Sequence, residues 1–219
     1  MRERPILLNA DMVRAVLNGS KTQTRRIITP QPFDRSWARH DHQIEIASGR
    51  AENGDEIDGL LAYTKSSGGE WHAFCPFGQP GDRLWVRETF RVHSRATDVA
   101  TLVYKASGRQ SWTEQTHRVP ASVCNKPAVI EKWTPSIHMP RWASRITLEI
   151  TGVRVERLTA LSDDDARNEG CPAQLPHNPE DEHQARTWFR GLWSEIYGEE
   201  SWQANLWVWV IEFKRVEGE

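Results

Sequence analysis

Residues 19–25 read Gly-Ser-Lys-Thr-Gln-Thr-Arg, and the interpretation of the whole chain starts from this stretch. The preceding residues 11–17 carry apolar side chains at helical spacing, which predicts a short helix that Gly19 ends. A lysine, a threonine three residues later and an arginine then precede the apolar pair 27–28. An amine, a hydroxyl and a guanidinium are therefore close together, and such groups activate a nucleophile or hold a planar polar ligand.

The composition fits one large globular domain or two small ones. The chain has 219 residues, a net charge of −2 and 38% hydrophobic residues, so it can bury a core beneath a largely polar surface. Its apolar runs are shorter than the roughly 18 residues of a membrane span, and the N-terminal run is too short for a signal peptide. Three widely spaced cysteines give no disulfide framework, which favours a reducing cytoplasm.

Charge is spread unevenly along the chain. Residues 1–40 hold eight Lys or Arg against three Asp or Glu, whereas residues 158–200 hold three against ten. A polyanion such as RNA could meet the first segment and would avoid the second. Two solvated faces of opposite sign would give the same pattern, so both interpretations stay open.

Periodicity predicts the remaining core elements. Alternating side chains indicate one long strand over 83–92 and another over 144–158 that breaks at Gly152. Ser162 has the position of a helix N-cap, and aromatic and aliphatic side chains at helical spacing predict a helix over 181–197.

Four blocks, in order along the chain, resemble the ASCH domain family, a branch of the PUA-like fold. They are the glycine-x-lysine-x-x-threonine-x-arginine signature at 19–26, the Gly-Asp turn and strand at 81–86, the alanine-x-x-glutamate helix within 158–170 and the closing strand 207–213. The resemblance implies an α+β fold built as a small mixed β-barrel of PUA-like type with flanking helices.

The resemblance also predicts a single domain over residues 1–219 that carries two long loop insertions. The insertions would fill about 31–80, with short strands at 60–64 and 71–75, and about 107–142. The core would comprise about 1–30, 81–106, 143–171 and 186–216.

By the same resemblance, Lys21, Thr24 and Glu169 would form the Lys-Thr-Glu constellation of the family's small amidohydrolases, which remove acyl groups from N4-acylated cytidine. Thr24 would attack the amide carbonyl, Lys21 would take its proton, and Glu169 would orient the lysine and serve the leaving amine. Arg26 meets the arginine of the signature, with Arg25 in between, and would be a structural or oxyanion-side cation. Locally, a lysine after a helix, a strand threonine and a helical glutamate are also ordinary structural residues.

Two further features are candidate ligand contacts. Glu88 is the rival carboxylate, although Arg87 or Arg91 could simply pair with it. A proline-stiffened loop carries side chains that could stack a base and contact a phosphate, or could only pin the loop to the core. These side chains are Trp133, His138, Arg141 and Trp142.

The sequence thus predicts a cytoplasmic amidohydrolase that acts on a modified nucleoside. We expect neither a cofactor nor a metal, because the chain has no C-x-x-C, H-E-x-x-H, P-loop or dinucleotide pattern. A non-catalytic RNA- or DNA-binding ASCH module is the alternative, and a ribonuclease is a third and weaker one. PUA-like folds serve both catalysis and binding, so the fold does not decide between them.

Overall fold

The computed structural model describes residues 1–32, 44–50, 56–66, 69–107, 116–129, 131–175 and 182–216. These residues form an α+β fold in which strands predominate, and this confirms the predicted class. The chain divides into two compact units. Unit 1 comprises Met1–Gly19, Arg83–Glu149 and Arg215–Glu219, and unit 2 comprises Ser20–Asp82 and Ile150–Lys214. That the chain is a single domain stays a prediction.

The described strands and helices follow one another along the chain without internal repeats. The strands are β1 (Glu3–Leu7), β2 (Gln23–Ile27), β3 (Glu45–Arg50), β4 (Glu56–Ser66), β5 (Gly69–Phe74), β6 (Arg83–Arg87), β7 (Phe90–Arg95), β8 (Val99–Tyr104), β9 (Thr116–Pro120), β10 (Thr147–Arg157) and β11 (Trp207–Arg215). The α-helices are α1 (Ala10–Leu17), α2 (Asp163–Asn168), α3 (Gln184–Tyr197) and α4 (Glu199–Gln203).

Unit 1 holds two groups of paired strands. β1 runs parallel to β6, and β6 pairs antiparallel with the first residues of β10. β7, β8 and β9 form an antiparallel sheet over a core that includes Phe90, Leu102 and Met139. Helix α1 begins at Asn9, whose side chain accepts from the Met12 amide, and Gly19 follows it with a φ of 81° that favours glycine.

In unit 2, the rest of β10, β11 and β2 are neighbours in that order, and β3, β4 and β5 form a separate antiparallel sheet. The apolar faces of α2, α3 and α4 bury a core that includes Phe189, Trp193 and Val210. Helix α2 starts with the predicted cap, because Ser162 and Asp165 each accept a hydrogen bond from the other's backbone amide. This cap fixes where the acidic helix meets β2.

Two predicted strands differ from the structure. The strand predicted over 83–92 is split into β6 and β7, because the Glu88 amide donates to the Met139 sulfur at 3.3 Å and so leaves the strand ladder. β10 runs through Gly152 without the predicted break. A Cβ at Gly152 would lie 2.7 Å from Glu212 Oε2, so glycine here makes room for a neighbouring carboxylate.

The insertions are not simply loops. The first contains β3, β4 and β5. β4 includes the predicted strand at 60–64, and β5 includes all but the last residue of the one at 71–75. The second contains β9. Other parts of both insertions lie outside the described residues. Among the described strands no sheet closes into a barrel, so the barrel part of the prediction is not met there and the PUA-like assignment stays a prediction. Within the described part of the chain, no helix has the length and apolarity to cross a bilayer.

Candidate functional site

The start of β2 and the end of α2 meet through their backbones in unit 2. Lys21 and Glu169 form an antiparallel bridge, and the Thr22 amide donates to the Asn168 carbonyl at 2.8 Å. Glu169 is the C-cap residue of α2 and not part of its interior. The two signature blocks that are far apart in sequence therefore lie side by side.

The Lys21 ammonium and the Glu169 carboxylate form a buried ion pair. Nζ donates to Oε2 and to the main-chain oxygen of Glu169, both at 2.8 Å, and the two side chains are 0% and 2% exposed. Burial lowers the pKa of Lys21, Glu169 opposes this change, and the charges of Arg26 and Arg25 add to the lowering. The predicted approach of Glu169 to Lys21 is present, and the catalytic roles of both residues stay predictions.

Arg25 was named in the sequence interpretation as a cation near Lys21, but it was not placed among the predicted site residues. Its Nη1 donates to Glu169 Oε1 at 3.2 Å, its Nη2 lies 3.0 Å from Glu156 Oε2 and 3.5 Å from Asp165 Oδ2, and its side chain is fully buried. The signature assigns the arginine position to Arg26 instead. The period of two along a strand was the available signal, because it places residue 25 on the same face as residue 23.

A polar layer surrounds Arg25 and fixes helix α2. Gln23 Nε2 donates to both the main-chain oxygen and Oδ1 of Asp165, each at 3.1 Å. Burial alone would raise the pKa of Asp165, but hydrogen bonds from Ser162 and Gln23 and the charge of Arg25 outweigh it and lower the pKa to about 2. This carboxylate is therefore ionised at neutral pH.

Arg154 on β10 extends the polar layer outward. Its guanidinium pairs with Glu156, with Asp165 at 2.7 Å, and with Glu212 on β11. Since Glu156 and Asp165 also bind Arg25, the two guanidinium groups share two carboxylates. Movement of any one of these side chains is thus coupled to the others.

Thr24 and Arg26 lie on the opposite face of β2 from Arg25. Thr24 is paired in register with Ile211 and is 1% exposed. Within the described residues its hydroxyl has no hydrogen-bond partner, so it makes no hydrogen bond to the Lys21 ammonium. Arg26 is half-buried and donates to the Arg25 carbonyl at 3.1 Å. The structure brings Lys21 to Glu169 and leaves Thr24 outside their hydrogen bonds.

Glu88 lies in unit 1, where it is buried and bound by Arg145. The two side chains make bidentate contacts of 2.9 and 3.1 Å. Burial raises the pKa of Glu88, and Arg145 opposes this change. The expectation that Arg87 or Arg91 pairs with Glu88 is wrong, because each of these guanidinium groups lies over a tryptophan ring and Arg145 binds the carboxylate.

The loop residues of the prediction are also in unit 1, and they have different environments. Trp133 is half-buried and carries the Arg91 guanidinium 4.7 Å from its ring centroid. Trp142 packs against the core of unit 1 and meets the Phe90 ring edge-on at 6.3 Å. Trp133 therefore pairs with a cation, whereas Trp142 contributes to packing.

Arg141 and His138 complete the predicted ligand contacts. Arg141 binds Glu3 at 2.9 and 3.2 Å, so its guanidinium is already engaged. His138 ends a short 3₁₀ turn, Ser136–His138, and its side chain is exposed. That these loop residues contact a ligand stays a prediction.

The three cysteines lie within the described residues, whereas the metal prediction can be compared with only the described part of the chain. All three cysteines are free and buried. In the described ranges no cluster of three or more His, Cys, Asp or Glu side chains is arranged to hold a metal ion. Comparison with protein-family models, with curated proteins and with solved structures found no match.

Proposed function

We propose that this chain is a cytoplasmic amidohydrolase of ASCH, PUA-like type that removes the acyl group from an N4-acylated cytidine-type nucleoside. The observation that supports it is the buried Lys21 ammonium, held 2.8 Å from Glu169 with its pKa lowered by burial. A lysine whose pKa is lowered gives up its proton more readily, and the neutral amine that results is a competent general base. Burying an ion pair costs desolvation free energy, and a strand does not need one in order to form. Buried charged clusters of this kind are frequent at functional sites.

The reaction proceeds through a covalent intermediate. Thr24 Oγ1 attacks the amide carbonyl carbon while Lys21 accepts the hydroxyl proton. That proton passes through the Lys21–Glu169 pair to the leaving N4 amine as the C–N bond breaks, which releases cytidine. Water then cleaves the threonine ester, frees the carboxylic acid and restores the hydroxyl. Neither a metal nor a cofactor takes part in this proposal.

The mechanism requires two movements from the geometry described above. The Thr24 hydroxyl must come within hydrogen-bond distance of Lys21 Nζ, and side chains around the sealed pair must open for the substrate. The hydroxyl breaks no hydrogen bond to a described residue when it moves.

Release of cytidine from N4-acetylcytidine tests the proposal. Lys21→Ala removes the general base, so we expect kcat/KM to fall by about 10²–10⁴-fold. Thr24→Val should also lose turnover, whereas Lys105→Ala, which removes an exposed lysine of unit 1, should keep it. Melting curves of each variant separate loss of chemistry from loss of fold. Full turnover by Lys21→Ala would refute the mechanism.

A second candidate is an RNA-binding module without catalysis, and the charges of the two units favour it. Unit 1 contains 15 Lys or Arg against 9 Asp or Glu, whereas unit 2 contains 13 against 21. Arg91 over the Trp133 ring adds a cation and an aromatic surface to the basic unit. Retention of RNA without cytidine release would support this candidate, and strand breaks would support a ribonuclease.

A further inference from the structure

The Glu169 carboxylate is shared between two buried cations. Oε2 accepts from Lys21 at 2.8 Å and Oε1 accepts from Arg25 at 3.2 Å. Each oxygen has its own donor, so rotation of the carboxylate would break both contacts. The orientation of Glu169 toward Lys21 therefore depends on Arg25 as well as on the backbone bridge.

Arg25 is itself held from several sides. Its Nη2 contacts Glu156 on β10 and Asp165 on α2, and its guanidinium carbon lies 5.9 Å from the centre of the Phe189 ring on α3. Its side chain is 0% exposed. A planar guanidinium fixed by carboxylates and an aromatic ring loses little further freedom when it binds Glu169, so it is a rigid support.

Charge around the pair has a definite balance. The charged groups near Lys21 come from four elements. The strand β2, which follows Lys21, supplies Arg25 and Arg26, and helix α2 with its cap supplies Asp165 and Glu169. Strand β10 supplies Arg154 and Glu156, and β11 supplies Glu212. The positive charge of Arg25 opposes a proton on Lys21, and it also offsets the Glu169 charge that would retain that proton. Without Arg25, Glu169 would be a full counter-charge to the ammonium alone.

We propose that Arg25 is a positioning residue, which holds Glu169 in place and offsets its charge so that Lys21 can give up its proton. This inference deepens the proposed amidohydrolase function and rests on it for its catalytic consequence. It goes beyond the signature, in which residue 25 is only a spacer before Arg26. Its physical content, that Arg25 contributes to the protonation balance of Lys21, does not depend on whether the substrate is an acylated cytidine.

The test is a pH titration of the Lys21 side chain by NMR in the full chain with isotope-labelled lysine. The chain has six lysines, so Lys21→Met assigns the signal. We expect Arg25→Gln to raise the pKa of Lys21 and Arg25→Lys, which keeps the charge, to restore most of the original value. Glu156→Gln removes a negative charge beside Arg25 and should change the pKa in the opposite direction, downward.

A purely structural role for Arg25 makes a different prediction. All three variants would then melt at lower temperature while the pKa of Lys21 stays unchanged, and this result would overturn the proposal. The same holds if Arg25→Gln lowers the pKa of Lys21. If Arg25→Gln fails to fold, the other two variants still decide, because the pKa of Lys21 must stay near its original value in Arg25→Lys and must fall in Glu156→Gln.

Enzyme assays with N4-acetylcytidine separate this inference from the proposed function. For Arg25→Gln we expect the rise of kcat/KM with pH to start at higher pH, since each unit of increase in the Lys21 pKa lowers its neutral fraction about tenfold. Arg25→Lys should recover the original profile. Lack of turnover by the unmutated chain would refute the amidohydrolase, and the NMR titration would still confirm or overturn the role of Arg25.

Discussion

Glu169 accepts hydrogen bonds from two buried cations, and its loss would leave both Lys21 and Arg25 without this partner. We expect Glu169→Gln to lower the free energy of unfolding by about 3–5 kcal/mol, the usual cost of breaking a buried ion pair from one side. Lys21→Met should cost less, because Glu169 then keeps Arg25. Urea unfolding at neutral pH measures both values.

An exposed ion pair on the same helix is the matched control. Asp164 and Arg167 pair at 2.7 Å with side chains 89% and 63% exposed. Arg167→Gln should therefore change stability by at most about 1 kcal/mol. If Lys21→Met proves as costly as Glu169→Gln, then Arg25 does not sustain the Glu169 carboxylate and the asymmetry is wrong.

Asp165 gives the site a defined response to acid. Its pKa of about 2 in the folded chain lies below the ordinary value of 3.8, so its stabilisation is full above pH 3.8 and is lost as pH falls toward 2. The difference corresponds to roughly 2 kcal/mol. Asp165→Asn should be less stable at pH 7 and should lose less stability between about pH 4 and pH 2. Urea curves that decline in parallel for both proteins would contradict this assignment.

The sequence could predict Lys21 and Glu169 as neighbours but not the full set of groups around them. The signature pattern carries the spacing of Lys21, Thr24 and Arg26, and the order of the blocks brings Glu169 into the same group. Arg25 was not placed among the predicted site residues, because a one-residue register on a strand decides which face a side chain takes. Only the pairing of β2 shows that Arg25 faces the carboxylates and that Thr24 does not.

At the scale of elements, helix α3 contains an exposed glycine in its interior. A Cβ added at Gly191 would meet open space, and the backbone there is ordinary helix. Gly191→Ala should therefore stabilise the chain by about 0.5–1 kcal/mol, because alanine restricts the unfolded chain more and suits a helix better. Thermal or urea unfolding of the two proteins measures this gain.

Gly198 is the matched control for that substitution. It ends α3 with a φ of 84°, a conformation that side-chain-bearing residues avoid. Gly198→Ala should destabilise the chain by about 1–3 kcal/mol although it adds the same methyl group. A gain at both positions would mean that general hydrophobicity, and not backbone conformation, determines the response.

Periodicity predicted the helices and strands whose apolar side chains follow a clear pattern. It failed where a hydrogen bond determines the end of a strand. α1, the Ser162 cap and the strands within β4 and β5 follow from local patterns. The division between β6 and β7 depends on a single amide that turns to a methionine sulfur 51 positions away. β9 has only one buried side chain, Val119, so its sequence carries too weak a signal for a strand.

At the scale of the whole molecule, the two units differ in net charge in a way that the order of charges along the sequence does not show. The basic segment 1–40 is divided at Gly19 between the two units, and both units are assembled from separated segments. The excess of positive charge belongs to unit 1, and the excess of negative charge to unit 2. Because charge windows along a chain follow sequence and not contact, they could not reveal this division.

The two tryptophans of the loop 133–142 offer a test of whether the basic unit binds RNA. Trp133 is paired with Arg91, whereas Trp142 packs against the core. Their alanine variants should therefore affect different quantities, RNA affinity in the first case and melting temperature in the second. Trp133→Ala should weaken binding of a short single-stranded RNA about tenfold or more with an unchanged melting temperature, since base stacking on an aromatic ring contributes about 1–3 kcal/mol. Trp142→Ala should lower the melting temperature first. Fluorescence anisotropy at two salt concentrations measures the affinity, which should fall as salt rises if phosphates contact the arginines. Equal affinity of the original chain and Trp133→Ala for RNA would mean that this ring only packs against its neighbours. The surface around Trp133 and Arg91 would then not bind RNA.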